Sequence, residues 1–308
     1  MHIRTNPILN KILRPVLRFC EWLGENHPET LIRLRYFARF KRILNLKEPK
    51  TLNEKILYLA LRTDTSMWSL CADKYAVRQY VADRVGEGVL IPIVGMWTNV
   101  EDIDWQKLPQ KFVLKLTNGS GDRLIITDKT KVDWNQHKSV FAREMQHRYG
   151  AVEGGIHYMR IKPRLIAEEL IENDSETLCY SNSLVDYKIW CFNGKAQYIW
   201  ACANRTLETT EVMTYDKEWN AHPEYSVFNA HYSHGKLLPK PKNFEKMLQI
   251  AEKLAKDFPC VRVDLYNVNG KIYFGELTFT SLGGLMDFYT DEFQLLAGSM
   301  ITLPSATK

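Results

Sequence analysis

The chain has 308 residues, 45% of them hydrophobic and 25% charged, which suits one or two compact domains and excludes a disordered or fibrous class. Its net charge of +5 is unevenly placed: residues 1–47 hold ten Lys/Arg against three Glu, a local +7 that leaves −2 for the rest. Six cysteines without a CxxC pair and eight histidines without HExxH spacing point to reduced core cysteines rather than a disulfide or zinc framework. No apolar run approaches the roughly 20 residues needed to span a bilayer, and the N-terminus lacks the features of a signal peptide. A cytoplasmic protein is expected, with no nucleic-acid partner.

In chain order, apolar residues at helical spacing over Ile8 to Leu46, interleaved with Arg and Lys, predict two amphipathic helices broken at Asn26 to Pro28. Such a basic segment suits docking on the body with a solvated cationic face, or peripheral contact with an anionic membrane at the inner face of the cell. Helices are expected over Leu52 to Arg62, capped at Thr51 or Asn53, and from Asp73 to Val85. Val89 to Val94, with Pro92 inside it, reads as a short edge strand or an extended connection.

From Lys111 the pattern changes. Phe112 to Leu116 and Leu124 to Thr127 flank the turn Asn118, Gly119, Ser120, Gly121 as a hairpin, followed by a helix over Trp134 to Tyr149 and a strand over Arg164 to Ile171. Asn193–Gly194 separates Tyr187 to Phe192 from Ala196 to Ala201, and Asn269–Gly270 separates Val261 to Asn267 from Lys271 to Leu277. Asn-Gly between apolar runs is the strongest short-range hairpin signal, because both central residues of a type I′ turn need positive φ. Phe244 to Lys256 has helical spacing.

Three clusters carry chemistry. Lys115 ends an apolar strand just before the glycine turn, where a desolvated cation and approachable backbone N–H groups suit a triphosphate such as ATP; an ordinary tight hairpin fits the same residues. Asp264 and Glu276 stand near one another across the Asn269–Gly270 hairpin, with Arg262 two residues from Asp264. Paired carboxylates call for a cation such as Mg2+ held together with phosphates, against the alternative of a surface cross-strand ion cluster. Asp186 and Lys188 share a strand face, with Arg205 after the next strand, as a phosphate site or an exposed ion-paired face.

The order of these parts resembles the ATP-grasp superfamily. Lys50 to Ile56, Asp73 to Arg78, Lys115 to Gly121, Ala167 to Glu169, Asp186 to Lys188 and Phe274 to Phe279 are similar to the TupA-like ATP-grasp family of bacterial polysaccharide gene clusters, over roughly residues 45–300. The resemblance implies an α+β, ATP-grasp fold with two β-rich subdomains gripping ATP. The divisions are a basic helical extension (1–48), a helical or α-β region before the grasp (49–110), a small subdomain (111–170) and a large subdomain with the metal and acceptor site (171–308). It implies Lys115 on the α- and β-phosphates and the Asn118 to Asp122 turn over the triphosphate. Glu168, Glu169 and Ile171 would lie around the adenine, partly through backbone groups, and Asp186 would reach the ribose or orient Lys188. Lys188, Arg205 and Arg262 would meet the transferred phosphoryl group, and Asp264, Glu276 and Thr278 would hold Mg2+. Thr278 stands where the superfamily usually has Asn. Thr280 to Leu285 would cradle the reacting carboxylate, without the proline common there.

The activity implied is an ATP-dependent carboxylate–amine ligase that joins an amino acid to a uronic acid of a surface polysaccharide or its precursor. Trp190, Tyr198, Trp200 and Trp219 suit stacking on sugar rings or filling the core. Two rivals remain: a sugar-nucleotide glycosyltransferase, for which Asp102–Ile103–Asp104 has the right spelling, and a non-catalytic membrane-associated scaffold.

Overall fold

The computed structural model describes residues 7–119, 123–153 and 155–304. Its elements in chain order are α1 (Pro7–Asn26), α2 (Pro28–Phe40), α3 (Leu52–Arg62), α4 (Ser66–Ala72), α5 (Val77–Val85), β1 (Ile93–Trp97), β2 (Phe112–Leu116), β3 (Arg123–Ile126), α6 (Trp134–Gln146) and β4 (Leu165–Glu169). Then follow β5 (Asp186–Phe192), β6 (Lys195–Ala203), β7 (Thr210–Asp216), β8 (Tyr232–His234), α7 (Phe244–Ala255), β9 (Cys260–Val268), β10 (Lys271–Thr278) and α8 (Asp291–Ser299).

Local chemistry sets most of these boundaries. Helix α3 starts on a capping box: the Thr51 hydroxyl accepts from the Glu54 backbone N–H while the Glu54 carboxylate accepts from that of Thr51. The helix expected from Asp73 begins only at Val77, because the Asp73 carboxylate accepts from the N–H groups of Tyr75 (2.8 Å) and Ala76 (3.1 Å) and holds residues 73–76 as a turn. The strand expected over residues 89–94 lies at Ile93–Trp97. Residues 87–89 form a 3-10 turn, Pro92 has no N–H to give a ladder, and its carbonyl accepts from Glu169 instead. Helix α6 stops three residues short of Tyr149. Both Asn-Gly turns have positive φ at each central residue: 49° and 75° at Asn193–Gly194, 50° and 82° at Asn269–Gly270. Elements α4, β7, β8 and α8 carry no signal strong enough to have been anticipated.

The strands form two sheets. One is four-stranded in the order β1-β4-β2-β3 and wholly antiparallel; β1, from the segment ahead of the expected small subdomain, is its edge. The other is six-stranded in the order β10-β9-β5-β6-β7-β8, antiparallel except at β7–β8. Alternation splits each sheet into a core face and a second face. Phe112, Leu114, Leu165 and Ala167 of the small sheet pack with Val100, Ile103 and Phe141. Behind the large sheet, Ile189, Ile199, Val263 and Leu265 bury against Met247, Ile250 and Leu254 of α7. Each such side chain contributes about 1.5–3 kcal/mol on burial. That leaves the second face of each sheet for polar residues.

Candidate active site

On the second face of the large sheet, β5 presents Asp186 and Lys188 by period-two alternation, and β9 places Asp264 directly beside Lys188. Strand β10 supplies Glu276 and Thr278, opposite Asp264 and Arg262. A β-bulge makes this possible. From the turn the ladder runs regularly to Phe274 opposite Leu265, then skips Gly275, so that Glu276 and not Gly275 stands opposite Asp264. In unbroken register Glu276 would face Val263 and point into the core.

The side chains form one buried network. Lys188 Nζ lies 2.6 Å from Oδ2 of both Asp186 and Asp264. Arg262 donates to both Asp264 oxygens at 2.7 Å, to Ser281 Oγ at 2.7 Å and to Thr278 Oγ1 at 3.1 Å, and its Nη2 lies 3.4 Å from Glu276. Thr278 Oγ1 donates to Glu276 Oε1 at 2.9 Å, and Arg205 reaches Asp186 at 3.3 Å. Among the described residues Oδ1 of Asp186 is buried without a hydrogen-bond partner.

Burial and charge work against each other here. Burial would raise the Glu276 carboxyl, but Lys74, Lys188, Arg262 and the Thr278 hydroxyl outweigh it and hold it down at about 2. Burial would depress Lys188, yet Asp186 and Asp264 lift it above the usual lysine range. Arg205 and Arg262 are raised too, the carboxylates Asp186 and Asp264 respectively outweighing burial. At neutral pH the cluster therefore holds fixed cations around a stable Glu276 anion, suited to binding a polyanion and neutralising charge that develops on it.

The small sheet turns its own polar face to this one. Lys115 Nζ lies 2.6 Å from Glu168 on the neighbouring β4, and Arg78 from α5 lies 3.7 Å from the same carboxylate. Lys74 joins the two sheets: its Nζ donates to the Gly119 carbonyl, and it is the foremost charge stabilising the Glu276 carboxylate. Asn118 is buried beside Gly119, while Ser120, Gly121 and Asp122 lie outside the described residues. Alternation sends the Glu169 side chain to the other face, exposed; its backbone stands opposite Phe112 in the ladder, three residues from Lys115, and its N–H donates to the Pro92 carbonyl. Ile171 is half-buried in the following loop.

Lys74 and Arg78 join the site beyond the residues that the sequence points to, and Ser281 lies within the Thr280 to Leu285 loop expected to cradle the carboxylate. Lys74 and Arg78 lie within the Asp73 to Arg78 stretch, but nothing in local sequence says that a helical segment reaches across to a distant sheet. The aromatics fill space: Trp190 donates from Nε1 to the Tyr289 hydroxyl at 2.9 Å, and Trp200 stacks on Phe288 with centroids 4.3 Å apart. Trp190 and Trp200 are buried and Tyr198 and Trp219 pack against the same core, so none of the four is laid open to a sugar ring. Asp102 lies in a 3-10 turn and Asp104 caps the next, accepting from the Gln106 N–H. Their neighbours are those of turn residues.

No group of three His, Cys, Asp or Glu able to hold a metal occurs among the described residues. The all-oxygen set of Asp264, Glu276 and Thr278 nevertheless fits Mg2+, which takes one or two carboxylates and completes its shell with water and substrate phosphates. Ionised Glu276, with its side chain 32% exposed, is the readiest donor; Asp264 already serves Arg262 and Lys188.

The TupA-like ATP-grasp family model matches residues 54–302. No curated protein matches the chain. Among solved structures, D-alanine–D-alanine ligase from Bacillus anthracis is similar with a TM-score of 0.48 and 14% identity, over 82% of this chain and 72% of that one. The corresponding ligase from Helicobacter pylori gives 0.44 and 16%, over 84% and 68%. The VanG D-Ala:D-Ser ligase from Enterococcus faecalis gives 0.40 and 13%, over 76% and 59%.

Proposed function

The chain belongs to the TupA-like ATP-grasp family and is an ATP-grasp ligase, and from that premise we propose that it activates a carboxylate with ATP and joins it to an amine, attaching an amino acid to a uronic acid of a surface polysaccharide or its precursor. The observation that carries this reading is the placement of Lys188, Arg205 and Arg262 around the opposed carboxylates Asp264 and Glu276, with Lys115 on the small sheet and Lys74 reaching from the turn before α5 to the Gly119 carbonyl. The polysaccharide substrate rests on the family resemblance alone.

In the proposed reaction a carboxylate oxygen attacks the γ-phosphorus of ATP, the bond to the β-phosphate oxygen breaks, and ADP leaves. The amine nitrogen then attacks the acyl carbon, phosphate departs with the C–O bond electrons, and the amine proton passes to phosphate or solvent. No side-chain nucleophile is needed. Lys115 orients the α- and β-phosphates, and Lys188, Arg205 and Arg262 hold the oxygens on which charge builds. Asp264 and Glu276, with Thr278 on the same edge, would hold Mg2+, which would supply charge neutralisation at the phosphates.

The test is ADP release from purified protein across amino acids with uronic-acid acceptors, with the product read by mass spectrometry. The expected result is ADP formed only when both substrates are present, and a product weighing their sum less one water. UDP release from a sugar nucleotide, or an amide-free product, would overturn it.

A further inference from the structure

The basic N-terminal hairpin has two faces that differ in kind. Its inner face is docked: Ile32 and Tyr36 of α2 share a core with Leu44, Leu46, Leu57 and Leu285, and Gly24 of α1 is pressed against the Ala151 carbonyl, where an added Cβ would stand 1.7 Å away. Each of the three acidic residues of segment 1–47 lies near a cation or histidine: Glu21 3.8 Å from His147, Glu25 3.0 Å from Arg148, and Glu29 2.8 Å from Arg33 and from Arg62.

Arg14 and Arg18 on α1 have no acid within ion-pair distance among the described residues; Glu21 and Glu25 stand on the same side of the helix but lie against His147 and Arg148. Arg14, Arg18 and Trp22 lie one turn apart in a single stripe, and Phe19 lies beside it, its ring stacked on Trp22 with centroids 6.0 Å apart. Phe19 is 58% exposed and Trp22 50%. Val16 and Leu17 on α1, and Leu34 and Phe37 on α2, are exposed as well. Adjacent exposed aromatic rings are costly in water and call for a covering partner.

We propose that the outward face of this hairpin, with Arg14, Arg18, Phe19 and Trp22 at its centre, is a docking surface for an anionic lipid bilayer. Charge complementarity selects this occupant. Glu21 and Glu25 of a second copy already lie against His147 and Arg148 and so leave Arg14 and Arg18 without an anionic partner, and a nucleic acid would leave the Phe19–Trp22 pair without an apolar environment. At a bilayer the rings enter the boundary between headgroups and acyl chains while the guanidiniums meet lipid phosphates. Attachment is interfacial: no helix among the described residues is long and apolar enough to cross a membrane. Because the inner face of α2 packs on Leu285, just beyond Thr278, a docked protein holds its candidate site close to the membrane surface.

The test is cosedimentation of the full chain with vesicles, which needs no turnover and so fails or succeeds independently of the ligase reading. Wild type is expected to sediment with mixed phosphatidylcholine and phosphatidylglycerol vesicles, less so as salt rises, and not with phosphatidylcholine alone. Arg14→Glu/Arg18→Glu and, separately, Phe19→Ser/Trp22→Ser each lose about tenfold or more of that binding, with thermal unfolding unchanged because all four side chains are exposed. Wild type that stays in the supernatant, or variants that sediment as well as wild type, would overturn the proposal. So would a wild-type dimer in sedimentation velocity that Phe19→Ser/Trp22→Ser converts to monomer.

Discussion

Glu276 stands opposite Asp264 because Gly275 is one residue too many for its strand. A Cβ at Gly275 would come within 3.0 Å of the Asp264 carbonyl and 3.3 Å of the Tyr266 ring, so a side chain at the bulge would push these neighbours aside by a few tenths of an ångström. Gly275→Val is expected to cost about 1–3 kcal/mol in urea unfolding, and to lower ADP release by more than the loss of folded protein explains. Turnover that simply tracks the folded fraction would show that the bulge does not serve the site.

The two carboxylates should respond differently to neutralisation. Glu276→Gln removes a partly exposed anion and is expected to lower Mg2+-dependent ADP release at least about 100-fold with little change in stability. Asp264→Asn should also abolish turnover, and should in addition cost about 3–5 kcal/mol, because it strips the buried Arg262 and Lys188 of their shared counter-ion. Full activity in either variant removes the metal assignment.

Lys115 lies on the small sheet, apart from the Asp264–Glu276 edge. Lys115→Met is expected to raise KM for ATP by about tenfold or more, with a smaller change in kcat. A variant that loses kcat at unchanged KM would move Lys115 from ground-state nucleotide binding to the transition state.

His157 gives the fold a pH dependence. It is fully buried, ringed by Trp68, Tyr158 and Phe279, with neither ring nitrogen hydrogen-bonded among the described residues, and burial, aided by the nearby Arg160, pulls it down to about 3. Below pH 6.5 the unfolded chain binds a proton that the folded chain refuses. Stability is therefore intact above that pH and lost as pH falls toward 3, by about 1.4 kcal/mol per unit. Urea titrations should show wild type losing about 2 kcal/mol more than His157→Leu between pH 6.5 and 5. Equal losses would mean that the ring is protonated in the fold.

Much of the architecture was legible in local pattern. The Asn-Gly hairpins, the Lys115 strand with its partner, α3 with its Thr51 cap, and α7 all follow from turn chemistry and periodicity, which act over a few residues. Strand β8 has three residues, α4 has seven, and β7 follows a loop without an Asn-Gly signal; such segments are stabilised by what they pack on, not by what they contain.

The same division runs through the candidate site. Sequence by itself determined which carboxylates and cations lie on strands, their order along the chain and the family they resemble. Tertiary structure decided which of them meet. The Gly275 bulge turned Glu276 onto the face of Asp264, Lys74 came across from the helical region to the glycine turn, and Glu169 was left pointing away. Alternation along one strand assigns a side chain to a face, but register shifts and the approach of distant segments depend on the packing of the whole chain, which no short window contains.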